Sequence, residues 1–335
     1  MHWCFPAAGS AAIAGLSSLM LFAARPETSS ASRGQPRPAA HCQDADHDGY
    51  GLGCPAGDDC NDQDPAIHPG QQESCNLRDD DCSGLVDDSP RCPVPTPVNQ
   101  SIRLPESGLL MGSPRDQGAA DERPLHRVQL SAFAIDRYEV TNERYGACVK
   151  AGACSPPTLR SSAKRERYFD QPEFSHYPVV FVSWQQADSF CRWDHGRLPT
   201  EAEWELAARG PAPSTRVFPW GDEPADCTKT NMGGARSCVG DTDLVGRRPA
   251  GASPWGVMDM AGNVWEWTAD WYDAEYYSTS PVRDPRGPTG GRLKVMRGGC
   301  WASGADSLRV SCRKAELPGT WAPNVGFRCV RPEGR

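Results

Sequence analysis

The sequence predicts a loop-rich domain of mixed helices and strands, preceded by a small acidic module that disulfides and metal would have to hold together. Three observations carry this reading. Gly (33) and Pro (31) are abundant in 335 residues that also hold eleven Trp, which describes a globular chain built largely from loops. Between Asp44 and Asp88 lie thirteen acids and one base, Arg78, so this segment carries −12 while the whole chain carries −8. Fifteen cysteines exceed cytosolic usage and imply an oxidising compartment. The length suits one short module plus one domain of roughly 230 residues. The remainder outside the acidic segment is mildly basic but shows no basic stripe, so nucleic acid is not an expected partner.

Residues 1–24 read as a secretory signal, since Ala7–Ala24 is small and apolar; the alternative is an uncleaved N-terminal anchor. No later apolar run approaches spanning length, and a secreted or periplasmic location is expected. Residues 25–40 are Ser-, Pro- and Arg-rich, a linker. Removing Cys4 with the leader leaves fourteen cysteines, an even number, and the short spacings Cys148/Cys154 and Cys227/Cys238 suit local disulfides.

Residues 41–92 form a separate module. Asp44, Asp46 and Asp48 alternate ahead of Gly49, the front half of a calcium loop, in which a turn folds carboxylates around one ion. No glutamate follows at the twelfth position, so this is not an EF-hand; Asp58, Asp59, Asp62 and Asp64, then Asp79–Asp81, supply further oxygens. Hard oxygen ligands favour calcium. Copper would want imidazole or thiolate, and only His41, His47 and His68 are at hand.

Residues 93–101 are a Pro-rich boundary. Beyond it, Val128–Ile135 alternates as a strand, Thr141 caps a helix from Asn142, and Pro178–Trp184 reads as a second, apolar strand. A helix follows over Gln185–Asp194. In RLPTEAEWELAARG, Thr200 is the N-cap of another helix, Glu203 its capping-box partner and Gly210 its stop. Trp255–Trp271 (WGVMDMAGNVWEWTADW) fits neither a helical nor a strand period and is expected to be a compact buried loop, with Asp259 and Glu266 placed to close on one hard cation.

The Asp44–Asp88 segment resembles a metal-binding module found near the N-termini of secreted bacterial proteins. From residue 102 to 332 the run GSPRDQGAADERPLHRVQLSAFAIDRYEVTNERY, YPVVFVSW, GRLPTEAEWELAARG, FPWGDE, GNVWEWTADW, VMRGGCW and NVGFRCVR resembles the formylglycine-generating enzyme (sulfatase-modifying factor) family. The resemblance implies an α+β fold, a loop-rich variant of the C-type-lectin fold, and an oxidase that converts a sulfatase cysteine to formylglycine with O₂. It also implies copper(I) bound by two thiolates in an RGGSxxCxxxxC pattern. Here those positions hold Ser303 and Leu308, and the serine position holds Cys300, so the resemblance argues against copper and against the standard oxidase. It further implies a Cys191–Cys329 disulfide, after which Cys148–Cys154, Cys227–Cys238 and Cys300–Cys312 complete the pairing; the alternative is a free Cys300 thiol in the cleft. Two calcium sites transfer: Asp259, Gly262, Val264 and Glu266 for one, Asn231, Met232 and Asp241 or Asp243 for the other. Arg297 and Arg328 read as internal ion pairs or as substrate contacts, and Trp301 and Trp321 as borders of the cleft. The functions left open are a divergent oxidoreductase, a non-catalytic module for a polypeptide or glycan ligand, and calcium-linked adhesion.

Overall fold

A computed structural model describes residues 42–74, 80–83, 100–234 and 237–332. The expected signal and linker lie outside the described residues, and no described helix is long and apolar enough to cross a membrane.

The domain starts and ends in one sheet. Strand β1 (Ser101–Leu104) pairs antiparallel with β4 (Phe133–Asp136), whose other edge takes β9 (Val330–Pro332). A hairpin of β2 (Ser107–Met111) and β3 (His126–Leu130) stands beside it. The expected single strand over Val128–Ile135 is therefore two strands. The break falls at Ser131, whose N–H and hydroxyl both donate to Asp284 and so leave the ladder.

A four-stranded sheet supports the candidate site, in the order β7 (Lys314–Glu316), β6 (Lys294–Arg297), β5 (Trp265–Trp271), β8 (Val325–Gly326). The second half of the expected Trp-rich loop is thus the central strand β5. Its first four residues are all buried, so both faces are covered and the alternation that marks a half-exposed strand is missing. The first half, Trp255–Val264, is irregular, with Asp259, Gly262 and Asn263 at positive φ. Pro178–Trp184 is not a strand either. Phe181 sits at φ +58, and the segment pairs with loops: Val179 N donates to Val140 O (2.9 Å) and Phe181 N to Ala322 O (3.0 Å). Apolar content there reflects burial, not extension.

The helices follow their caps. Helix α1 (Asn142–Lys150) starts at Thr141, whose hydroxyl accepts from Arg144 N; α2 (Trp184–Trp193) starts at Ser183 with a capping box to Gln186. Helix α3 (Glu201–Arg209) has the expected Thr200–Glu203 box and ends at Gly210, φ +85. One core lies between α1, α2 and the four-stranded sheet, around Tyr145, Phe190, Trp267 and Phe327; a second packs α3 against β2, β3 and β4.

The first N–H of α3 donates to Asp270 Oδ2 on β5 (2.8 Å). Burial, then the nearby Glu201 charge, pushes the Asp270 carboxyl up to about 8. The native state therefore keeps a proton that the unfolded chain releases near its ordinary value of 3.8, so stability falls as pH rises between those values and levels off above them. Asp270→Asn retains the acceptor and removes the titration. Urea unfolding across that range should give a flatter pH profile and a gain on the order of 1–3 kcal/mol at the alkaline end. Parallel profiles for the two proteins would refute this.

Candidate functional site

Strand β6 delivers its chain into the site through two glycines in the left-handed region, Gly298 (φ +96) and Gly299 (φ +76). A Cβ on Gly299 would come within 2.6 Å of Leu308 Cδ2 and 2.9 Å of Ser307 O, so only glycine permits this approach. The turn aims Cys300 at Ser303 and Asn324. Cys300 N donates to Ser303 Oγ (3.0 Å), the sulfur and that hydroxyl share a hydrogen bond of 3.3 Å, and Asn324 Nδ2 donates to the sulfur at 3.3 Å.

The expected Cys300–Cys312 bridge is not formed. Cys300 is a free thiol, 2 % exposed, while Cys312 is disulfide-bonded elsewhere. The glycine turn is the physical reason, since it commits the Cys300 sulfur to two polar neighbours. The bridges Cys148–Cys154, Cys191–Cys329 and Cys227–Cys238 are all present.

Around the thiol, Trp301 N donates to Asn263 O (2.9 Å), Gly233 N to Ser303 O (2.9 Å) and Trp301 Nε1 to Pro323 O (3.3 Å). Three loops are thereby tied together. Leu308 is fully buried beside Phe218 and Ala261. Trp321 is exposed, with its ring 6.0 Å from Phe181. Arg297 and Arg328 are both internal. Arg297 joins Glu201 and Glu205, and Arg328 grips Glu266 through two hydrogen bonds of 2.7 Å.

The residues of the two expected calcium sets are gathered on adjoining loops, and several of their side-chain oxygens already accept hydrogen bonds. In one set, Glu266 is held by Arg328 and also accepts from Trp204 Nε1 (3.0 Å), and Asp259 Oδ2 accepts from Gly246 N (2.6 Å). Gly262 and Val264 flank Asn263, whose side chain donates to Glu139 (2.6 Å). Glu139, fully buried, was not singled out in the sequence, because one acid inside DRYEVTN carries no spacing signal. Burial, then the charges of Asp259 and Glu266, push its carboxyl well above the usual range; burial takes Asp259 to about 6. Arg328 pairs with Glu266, so that carboxylate is already engaged.

In the other set, Asp241 accepts from Ser162 Oγ (2.5 Å) and three backbone N–H groups, and pairs with Arg165 at 3.1 Å. Asp243 pairs with Arg248 at 2.7 Å, and Met232 O accepts from Cys238 N (3.0 Å). Asn231 differs. Its Nδ2 donates to Asp241 O (2.9 Å) and Asn263 Oδ1 (3.1 Å), while Oδ1 is buried with no hydrogen-bond partner. An orphaned buried amide oxygen is costly unless something fills its lone pairs, and a hard cation would.

The acidic module is held by Cys42–Cys54 and Cys60–Cys82. Asp44, Asp46 and Asp48 bring carboxylate oxygens within 4.8 Å of one another, and so do Asp46, Asp59 and Asp62. Asp44 accepts from His47 N (2.6 Å) and Gly49 N (3.0 Å), which closes the loop, while Asp62 Oδ1 accepts from Ala45 N (2.9 Å). The oxygens Asp46 Oδ2, Asp48 Oδ2 and Asp59 Oδ2 are buried and receive no hydrogen bond. Asp58 instead accepts from Gly53 N (3.2 Å), within its own turn.

Residues 59–88 match a family described as "Putative metal-binding motif". A formylglycine-generating enzyme of Streptomyces coelicolor is 35 % identical over 70 % of this chain and 90 % of its own length. A Chlamydia pneumoniae protein named serine/threonine-protein kinase pkn1 is 35 % identical, but this chain spans only 42 % of it. Among solved structures, PvdO from Pseudomonas aeruginosa superimposes with a TM-score of 0.60 at 27 % identity, over 71 % of this chain and 95 % of that one. Residues 90–333, the whole of the larger domain and the boundary before it, match the sulfatase-modifying factor enzyme 1-like domain, and the chain belongs to that family.

Proposed function

We propose that this chain is an extracytoplasmic member of its family that binds a polypeptide or glycan in the cleft beside Cys300, and does not run the paired-thiolate oxidase. One observation carries the reading. The two positions matching the family's copper-binding cysteines hold Ser303, whose hydroxyl serves Cys300, and Leu308, whose side chain is packed in an apolar cluster. Copper(I) takes soft sulfur, and neither a hydroxyl nor an aliphatic chain supplies it. On a lectin-like scaffold, the exposed Trp321 and the partly exposed Trp301 would then meet the ligand. Export, through residues 1–24, is supported by the disulfides on both sides of the Pro-rich boundary. Calcium is proposed for the acidic module, where three buried carboxylate oxygens lack donors, and at Asn231 Oδ1.

A copper(I) titration of the reduced protein, followed by incubation with a CxPxR peptide and O₂, tests the central reading. We expect no tight copper(I) binding and no formylglycine product by mass spectrometry. Product that disappears in Cys300→Ala would instead establish an oxidase that uses the remaining thiol.

A further inference from the structure

We propose that the Cys60–Cys82 disulfide is a redox latch on the acidic module: its reduction creates a mixed sulfur–oxygen site, Asp59 with two thiolates, for a soft or borderline divalent cation. The proposal rests on the reading of the module as metal-binding and adds a second, differently selective site to it. Asp59 carries the argument because it belongs to two ligand groups. Its carboxylate lies within 4.8 Å of oxygens of Asp46 and Asp62, and within the same distance of the sulfurs of Cys60 and Cys82. Asp59 Oδ1 is 3.7 Å from Cys82 Sγ, and Asp59 Oδ2 is buried without a hydrogen bond.

While the bridge stands, its sulfurs carry no charge, and only oxygen is on offer, which suits a hard ion. Reduction changes the donor set. An external dithiol gives two electrons and two protons, the S–S bond breaks, Cys60 and Cys82 become thiols and the dithiol closes to its own disulfide. A divalent cation then displaces the two thiol protons and meets three negative charges, two of them on soft sulfur. Reductant reaches this bridge, because Cys60 is exposed, as are Cys42 and Cys227 of the Cys42–Cys54 and Cys227–Cys238 bridges, whereas Cys191 and Cys329 are fully buried.

Cadmium is the probe, added to the full chain before and after treatment with a water-soluble phosphine, which takes up oxygen from water as it delivers the same two electrons and two protons. The reduced chain should develop a thiolate-to-cadmium charge-transfer band absent from the oxidised chain. Under the same treatment C60S/C82S should lose one cadmium equivalent of the band, and D59N should bind that ion about tenfold more weakly. A band of equal strength in C60S/C82S would place the sulfur ligands elsewhere and overturn the proposal. So would a reduced wild-type chain without any band. Calcium titration of the oxidised chain tests the oxygen reading separately: failure to bind calcium removes that reading, while the cadmium band still decides this one.

Discussion

Replacing Arg297 by methionine should cost about 3–5 kcal/mol of stability, the range for removing one partner from a fully buried ion-pair network. The guanidinium is 0 % exposed and lies against the Trp204 ring, 5.3 Å from its centroid. One terminal nitrogen donates to Glu201 Oε1 (3.2 Å) and Ser311 O (3.1 Å), the other to Glu205 and to Val310 O (2.6 Å). Glu201, Glu205 and Arg209 stand four residues apart on α3, so a single helix face offers two carboxylates and one base to the sheet beneath. Arg313 braces Glu201 from the far side with bonds of 2.7 and 2.9 Å. Methionine fills much of the volume, so the loss measures charge and hydrogen bonding more than cavity. It leaves Glu205 with Arg209 and the Gly112 N–H, and strips two buried carbonyls of their donors. Arg297 also ends β6 and precedes the glycine turn, so the same variant should loosen Cys300. Urea unfolding reads the stability loss, and the rate of Cys300 alkylation in the native state should rise with it. A loss below about 1 kcal/mol would show that the network is as weak as a surface pair.

The elements legible in the sequence are those with local causes. Thr200, Glu203 and Gly210 define α3 because a capping box and a left-handed stop act over a few residues, and the structure has all three. Thr141 does the same for α1. What escaped has causes distant in sequence. Strand β5 is covered on both faces by α3, α2 and the loops, so Trp265–Trp271 lacks a period and reads as a loop. Phe181 takes positive φ because Ala322 and Thr158 hold its backbone from two sides, which no local rule for PVVFVSW contains. Cys300 followed the same pattern. Counting cysteines pairs it with Cys312, but the direction of its side chain is set by two glycines and by Asn324, 24 residues away. The acids of the expected calcium sets were found as residues, while their arginine partners, Arg165, Arg248 and Arg328, come from elsewhere in the chain.

Removing the Cys191–Cys329 bridge as the double alanine variant should lower stability by about 3–5 kcal/mol and raise the urea m-value. The two cysteines are 138 residues apart, so the cross-link closes most of the domain into one loop in the unfolded state. Chain entropy alone assigns about 5 kcal/mol to a loop of that size, with native strain and residual structure setting the lower end. The site of the bridge adds a packing component. Both residues are 0 % exposed in the core shared by Phe190 on α2 and Phe327, so the bridge ties α2 to the segment that leads into β9. Two effects can then be separated by experiment. Lost packing lowers the midpoint without changing the surface exposed on unfolding; lost cross-linking frees a longer chain and exposes more surface, which steepens the denaturant dependence. An unchanged m-value with a smaller loss would assign the bridge to packing. The short Cys148–Cys154 bridge, with a separation of six residues, provides the internal comparison: its removal should leave m nearly unchanged, because so small a loop constrains little of the unfolded chain.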